Sequence, residues 1–332
     1  MPYTDMPLEE LRAFTPTVRE PADFDAFWSK TLTESRSAAK EGGAAATRVA
    51  AQTPITEIVV EDLTFPGFGA EPVKAWVTRP KGREGERLPT VVEFNGYNGG
   101  RGIAGERAQW ALCGYVHVFM DTRGQGSGWG SGGETADPHG SGAAVAGWMT
   151  RGIASPHEHY YRRVYTDAVR LLDEVKTWSF VDPARIAVAG GSQGGGIALA
   201  AAGLSGGLWA AMPDVAFLCA WEYGAAVSIN GPFGEVARYL SVHRDEADRV
   251  WNTAAYFDGV NFAKRITIPA LFSVALMDET VPPSTVFAAF NALASADKAI
   301  EVYPYNNHEG GQTYQWLKQV AFLAERSAPA PR

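Results

Sequence analysis

Just past the midpoint of the chain, four small or branched apolar residues, Ile186-Ala187-Val188-Ala189, run into Gly190-Gly191-Ser192-Gln193-Gly194. Gly195-Gly196-Ile197-Ala198-Leu199-Ala200 follows directly. The first run reads as a buried strand and the last as the start of a buried helix. A chain turns so abruptly from strand to helix only where missing side chains let backbone segments approach closely. The five residues fit G-x-S-x-G, in which a serine is held exposed on a strained turn at a helix N-terminus. Free N–H groups there favour a developing negative charge. The competing reading is a glycine-rich connection with an incidental serine, and the surroundings decide between them.

Those surroundings alternate. Apolar strands are expected at 89–95, 115–121, 185–189, 210–218, 268–276 and 299–303, and helices near 103–112, 159–177, 194–204, 284–295 and 312–326. Short apolar strands alternating with helices require a mostly parallel sheet covered on both faces. Before them, Ile58-Val59-Val60 and Val73-Lys74-Ala75-Trp76-Val77 have a period of two, with a turn at Pro66-Gly67, and suit an antiparallel edge. Residues 8–44 look helical, with Leu8, Leu11 and Phe14 and then Phe24, Phe27, Trp28 and Leu32 at helical spacing. The alanine-rich 38–47 reads as a frayed end and linker. Residues 122–158 are glycine-rich and irregular, and 221–265 form a mixed, helical insertion. A single domain over 1–332 is expected, with an N-terminal extension over about 1–50 and a disordered tail at 327–332.

A serine hydroxyl needs a base to take its proton, and the base needs a partner that fixes its tautomer. In the α/β-hydrolase fold the chain order is serine, acid, histidine. His308 follows the strand at 299–303 and precedes a helix. The other downstream histidine, His243, lies in the charged stretch His243-Arg244-Asp245-Glu246, which reads as a solvated helix face. The acid should follow the strand at 268–276, where Asp278 is the candidate and Glu279 its neighbour. One oxyanion donor is the N–H of Gln193. The other is expected from the loop Phe94-Asn95-Gly96-Tyr97-Asn98, with the Tyr97 N–H as candidate. Such chemistry needs no metal or other cofactor.

Several classes are disfavoured. The net charge is −8, and no cluster of Lys or Arg offers a footprint for nucleic acid or anionic lipid. Gly128-Trp129-Gly130-Ser131-Gly132-Gly133 formally fits a dinucleotide fingerprint, but no apolar helix follows it. The remaining histidines, 117, 139, 157 and 159, show no metal-ligand spacing. There is no basic, apolar leader and no apolar stretch long enough to span a bilayer. Cys113 and Cys219 read as small buried hydrophobes without a disulfide. A soluble cytoplasmic protein is expected.

The chain closely resembles carbohydrate esterase family 7, the acetyl xylan esterases and cephalosporin-C deacetylases. Three motifs carry the resemblance: Arg123-Gly124-Gln125, Gly190-Gly191-Ser192-Gln193-Gly194 and His308-Glu309. Wider blocks at 121–129 and 256–262, and the opening segments 8–11 and 23–28, extend it from about residue 3 to residue 326. The resemblance implies deacetylation of short xylo-oligosaccharides and cephalosporin C, with perhydrolysis as a side activity. It also implies an intracellular homohexamer, a trimer of dimers. It assigns Tyr97 and Gln193 to the oxyanion hole and Pro232 to a small acyl pocket. The sequence departs from the family at Ala216, where proline is expected, and at Trp221-Glu222-Tyr223-Gly224, a stretch expected to lead toward that pocket. Arg123 and Gln125 are expected to brace the loops around the triad.

Overall fold

In the computed structural model, which describes residues 3–140 and 142–327, the strands are β1 (Thr47–Ala50), β2 (Ile58–Pro66), β3 (Pro72–Pro80), β4 (Leu88–Phe94), β5 (Val116–Met120), β6 (Val181–Gly191), β7 (Ala210–Asp214), β8 (Ala270–Ala275) and β9 (Lys298–Tyr303). The helices are α1 (Leu8–Ala13), α2 (Phe24–Glu41), α3 (Gln109–Leu112), α4 (Tyr160–Val175), α5 (Gln193–Leu204), α6 (Trp221–Val227), α7 (Phe233–Val242), α8 (Ala247–Ala254), α9 (Gly259–Ala263), α10 (Pro283–Ala292) and α11 (Gln312–Ser327). The nine strands form one sheet in the order β1-β2-β3-β5-β4-β6-β7-β8-β9. The β1/β2, β2/β3 and β3/β5 pairs are antiparallel, and every pair from β5/β4 to β8/β9 is parallel. This is the α/β-hydrolase arrangement, with an antiparallel edge on a parallel sheet.

The strand period of two sorts side chains between the two faces. Val92, Phe94 and Val188 join the larger core with α2, α4, α5, α9 and α10. Val91, Ala187, Ala189, Ala210, Met212 and Leu271 face the other way, under Trp110 of α3 and Phe322 and Leu323 of α11. Both faces are therefore covered, and the polar ends of the strands are free to build a site. Among the described residues no helix is long and apolar enough to cross a membrane.

Several expectations are corrected. The stretch read as a frayed end and linker begins inside α2 and gives way at Thr47 to the edge strand β1, all four of whose residues are exposed, so no apolar alternation marked that strand. The helix expected over 103–112 shrinks to the four residues of α3, because Gly102 and Gly105 both sit at positive φ just before it. The strand expected to reach 218 stops at Asp214, since Val215 turns at φ 38° although the apolar run continues. Cys113 caps the end of α3 and is exposed, while Cys219 is buried. Of the expected tail, Ser327 ends α11 and 328–332 lie outside the described residues. The helical insertion is present as α6 to α9, and 122–158 carries no helix or strand among its described residues.

Candidate active site

The elbow is built by close approach. A Cβ on Gly194 would stand 2.1 Å from the Phe94 carbonyl oxygen, and one on Gly190 would stand 2.4 Å from the Gly194 carbonyl carbon. No side chain fits at either position. Ser192 itself sits at φ 57°, the left-handed region that non-glycine residues rarely enter. The turn is held by its backbone: Ser192 N–H donates to Asp214 O at 2.9 Å, and Ser192 O accepts from Gly196 N at 3.1 Å and Phe217 N at 3.0 Å.

Three residues from distant loops converge here. Asp278 Oδ2 lies 2.7 Å from His308 Nδ1, and His308 Nε2 lies 2.8 Å from Ser192 Oγ. Asp278 is buried, and its other oxygen accepts from Thr280 N and Val281 N, each at 2.8 Å. It is thereby fixed as an acceptor facing the imidazole. Asn307 orients both loops, its Oδ1 accepting from Glu279 N at 3.1 Å and His308 N at 2.8 Å. The first residues of the chain close the far side: Thr4 Oγ1 donates to Asp278 O at 2.8 Å, and Asp5 Oδ2 accepts from Ser284 N at 2.8 Å. His243 caps α7 and stacks on Tyr239, and Glu279 bonds with Asn230, so neither enters the relay.

The N–H groups of Tyr97 and Gln193 flank this relay, and neither has a hydrogen-bond acceptor among the described residues. Each is held by something other than its own amide. The Gln193 side chain accepts from Gln125 Nε2 at 2.8 Å and Tyr161 Oη at 3.0 Å. Gln125 Oε1 in turn accepts from Asn98 N at 2.7 Å, so one glutamine ties the Tyr97 loop to the elbow helix. Tyr97 Oη donates to the Glu235 carboxylate and accepts from Trp148 N at 2.6 Å. Burial, with the Glu235 charge beside it, holds the Tyr97 phenol well above its ordinary pKa, and burial raises that of Glu235 also. Backbone amides left without an acceptor are the kind of donor an oxyanion requires.

Arg123 acts one layer out. Fully buried, it pairs with Asp167 of α4 at 2.6 Å and with Glu71 at 2.5 Å, and it reaches Asp137 at 3.4 Å. Burial alone would lower its pKa, but the Asp167 and Glu71 carboxylates outweigh it and hold the guanidinium charged. Gly124 N donates to Thr135 O at 2.7 Å, fastening the same loop. Glu309 is exposed at the rim and bonds with Asn306 at 2.7 Å.

A cavity of about 1060 Å³ opens over Ser192 and His308, lined by Tyr97, Val215, Pro232, Glu235, Thr280 and Gln312 among others. It is far larger than an acetyl group needs. Four of its non-glycine lining residues, Asn98, Ser192, Val215 and Gln312, hold positive φ, which concentrates backbone strain around one space. The stretch that departs from the family does not reach it. Ala216 packs behind Gly195 on α5, Trp221 is buried against His159 and Tyr161, and Glu222 pairs with Arg19. Glu235, Asn307 and Tyr161 were not legible as site residues, because nothing in their local sequence links them to loops so far away. Among the described residues no group of three or more metal-ligating side chains is gathered to hold an ion.

Known proteins of similar sequence and structure identify the family. Residues 1–326 match the family described as acetyl xylan esterase (AXE1). A solved acetyl xylan esterase from a Paenibacillus species is 36% identical, with a TM-score of 0.88, covering 96% of this chain and 99% of that one. Acetyl xylan esterase 1 from a Thermoanaerobacterium species is 31% identical, with a TM-score of 0.88, over 98% and 100% of the two chains. Acetyl esterase Axe7A of Xylanibacter ruminicola is 27% identical over 331 residues, 92% of this chain and 68% of its own length. The chain belongs to the acetyl xylan esterase (AXE1) family and is a carboxylic ester hydrolase.

Proposed function

We propose that this protein is a serine esterase that removes acetyl groups from small acetylated substrates through an acetyl-enzyme. The observation that carries the reading is the continuous relay Asp278–His308–Ser192, with contacts of 2.7 and 2.8 Å. His308 takes the hydroxyl proton as Ser192 Oγ attacks the acetyl carbonyl. The oxyanion is held by the Tyr97 and Gln193 amides. His308 then returns the proton to the departing alcohol oxygen, leaving acetyl-Ser192. Water, deprotonated by His308, frees acetate and restores the serine. Hydrogen peroxide in place of that water would release peracetic acid, which accounts for perhydrolysis as a side activity.

The substrates proposed are acetylated xylo-oligosaccharides, cephalosporin C and similar acetate esters, with Pro232 on the acyl side of the cavity. The family supports the acetate preference, and the size of the cavity suits a leaving group much larger than the acyl group. By the same resemblance the working form is a cytoplasmic homohexamer.

The test is hydrolysis of p-nitrophenyl acetate, butyrate and octanoate by the wild type and Ser192→Ala. Acetate should be fastest, and the variant should lose activity by a factor on the order of 10⁴–10⁶. Equal rates in the variant, or a preference for octanoate, would overturn the reading.

A further inference from the structure

The sheet face under α3 and α11 is apolar along its length, through Val91 on β4, Ala187 and Ala189 on β6 and Met212 on β7. Two residues further along each strand, the same rows end in Glu93, Gly191 and Asp214. Two carboxylates thus stand where a core layer would otherwise continue. They sit at the carboxyl ends of β4, β6 and β7, beside the point where strand order reverses, the place ligands favour in such sheets.

A second cavity of about 420 Å³ opens there. Glu93, Arg107, Gly191, Asp214 and Gln312 line both it and the space above Ser192, so the two are continuous around the elbow. Its other walls include Gln109, Gln319 and the indole of Trp316, which meets Trp110 edge-on at 5.8 Å. The Trp316 N–H is buried without a partner among the described residues.

Gly191 adds an independent observation. A Cβ on Gly190 or Gly194 would collide with backbone, but one on Gly191 would meet nothing within 4 Å. Packing gives no reason for a glycine there. It keeps the passage between the two cavities open.

The lining selects a chemical class. Glu93 and Asp214 accept hydrogen bonds, Arg107 donates, and the glutamines do both. Arg107 lies 3.4 Å from Glu93, and burial pushes the Asp214 carboxyl up to about 7, so little net charge is left to attract an ion. An aromatic wall and mixed donors and acceptors suit an uncharged, polyhydroxylated ring, and the volume lies within the usual range for small-molecule sites.

We propose that this annex is a glycosyl subsite, holding the sugar next to the acetylated one so that an oligosaccharide straddles Gly191 with its ester at Ser192. The proposal rests on the esterase reading above. Its test compares kcat/KM for acetylated xylobiose with kcat/KM for p-nitrophenyl acetate. The proteins are the wild type, the double variant Gln109→Ala/Gln312→Ala, whose side chains are both exposed, and Gly191→Leu, which obstructs the passage. The ratio should fall about tenfold in the double variant, through KM, as expected for two lost hydrogen-bonding side chains. It should fall at least as far in Gly191→Leu. Unacetylated xylobiose should inhibit p-nitrophenyl acetate hydrolysis by the wild type, and more weakly in the double variant. An unchanged ratio, or a wild type that cleaves p-nitrophenyl acetate but not acetylated xylobiose, would overturn the annex and leave the esterase intact. A wild type without Ser192-dependent hydrolysis of p-nitrophenyl acetate would remove the esterase reading itself.

Discussion

Gln193 divides its work between backbone and side chain. The amide is left without an acceptor among the described residues while the carboxamide is locked by Gln125 and Tyr161, so the backbone at this residue is fixed through its own side chain. His159 shows the same economy one layer away. Its Nδ1 accepts from Tyr161 N at 3.2 Å and its Nε2 pairs with Met149 O at 3.1 Å, which only the neutral imidazole satisfies. Burial, with Arg163 nearby, pushes its pKa down to about 3. Because the folded value is depressed, its contribution is intact above the ordinary value of 6.5 and is lost as pH falls from there toward about 3. Raised carboxyls such as Asp258, at about 6, act in the opposite sense. Between pH 7.5 and 5 the wild type should lose about 2 kcal/mol through His159, roughly 3 °C in Tm, that His159→Asn does not lose. Equal losses in thermal melts of the two proteins would show that the imidazole is not the group responsible. At this scale the sequence was informative where order matters: Ser192, Asp278 and His308, each placed after a successive strand, are the three residues that the structure brings into contact. It was silent about Glu235 and Asp214, polar residues whose role comes from what the fold sets opposite them.

Between elements, the Arg123 cluster is the main fastening. It joins α4, the turn between β2 and β3, and the irregular 122–137 segment. Removing the guanidinium leaves Asp167 buried without its cation, and Arg123→Ala should cost about 3–5 kcal/mol in chemical denaturation. An unchanged melting temperature with lost activity would argue that Arg123 serves the reaction rather than the scaffold. The strands and long helices were readable because a half-buried element must repeat its apolar residues with its own period. Where exposure removes that period, as in β1, or strain cuts it short, as at Val215, local pattern and structure diverge. Cys113 misled for a related reason: Trp110 and Ala111 turn inward, but the chain leaves the core before reaching it.

At the scale of the molecule, large apolar side chains remain at the surface, Tyr305, Tyr314 and Leu317 near α11 and Val227, Ile229 and Val242 on the insertion. A hexamer would give such groups partners. Sedimentation should find a particle of six times the 35.7 kDa chain, and a stable monomer at micromolar concentration would exclude the assembly. The bond from Thr4 to the Asp278 carbonyl has a further consequence, for biosynthesis. Its two ends are separated by 274 positions, an interval the ribosome needs about 14–55 s to translate at ~5–20 residues per second. Through that interval Leu8 and Leu11 have no α10 to rest on, and from Ser192 onward the nascent chain carries the candidate nucleophile before either Asp278 or His308 has been made. The three residues of the relay are therefore complete only once His308 has been made, and only after Asp278 can the Thr4 segment dock.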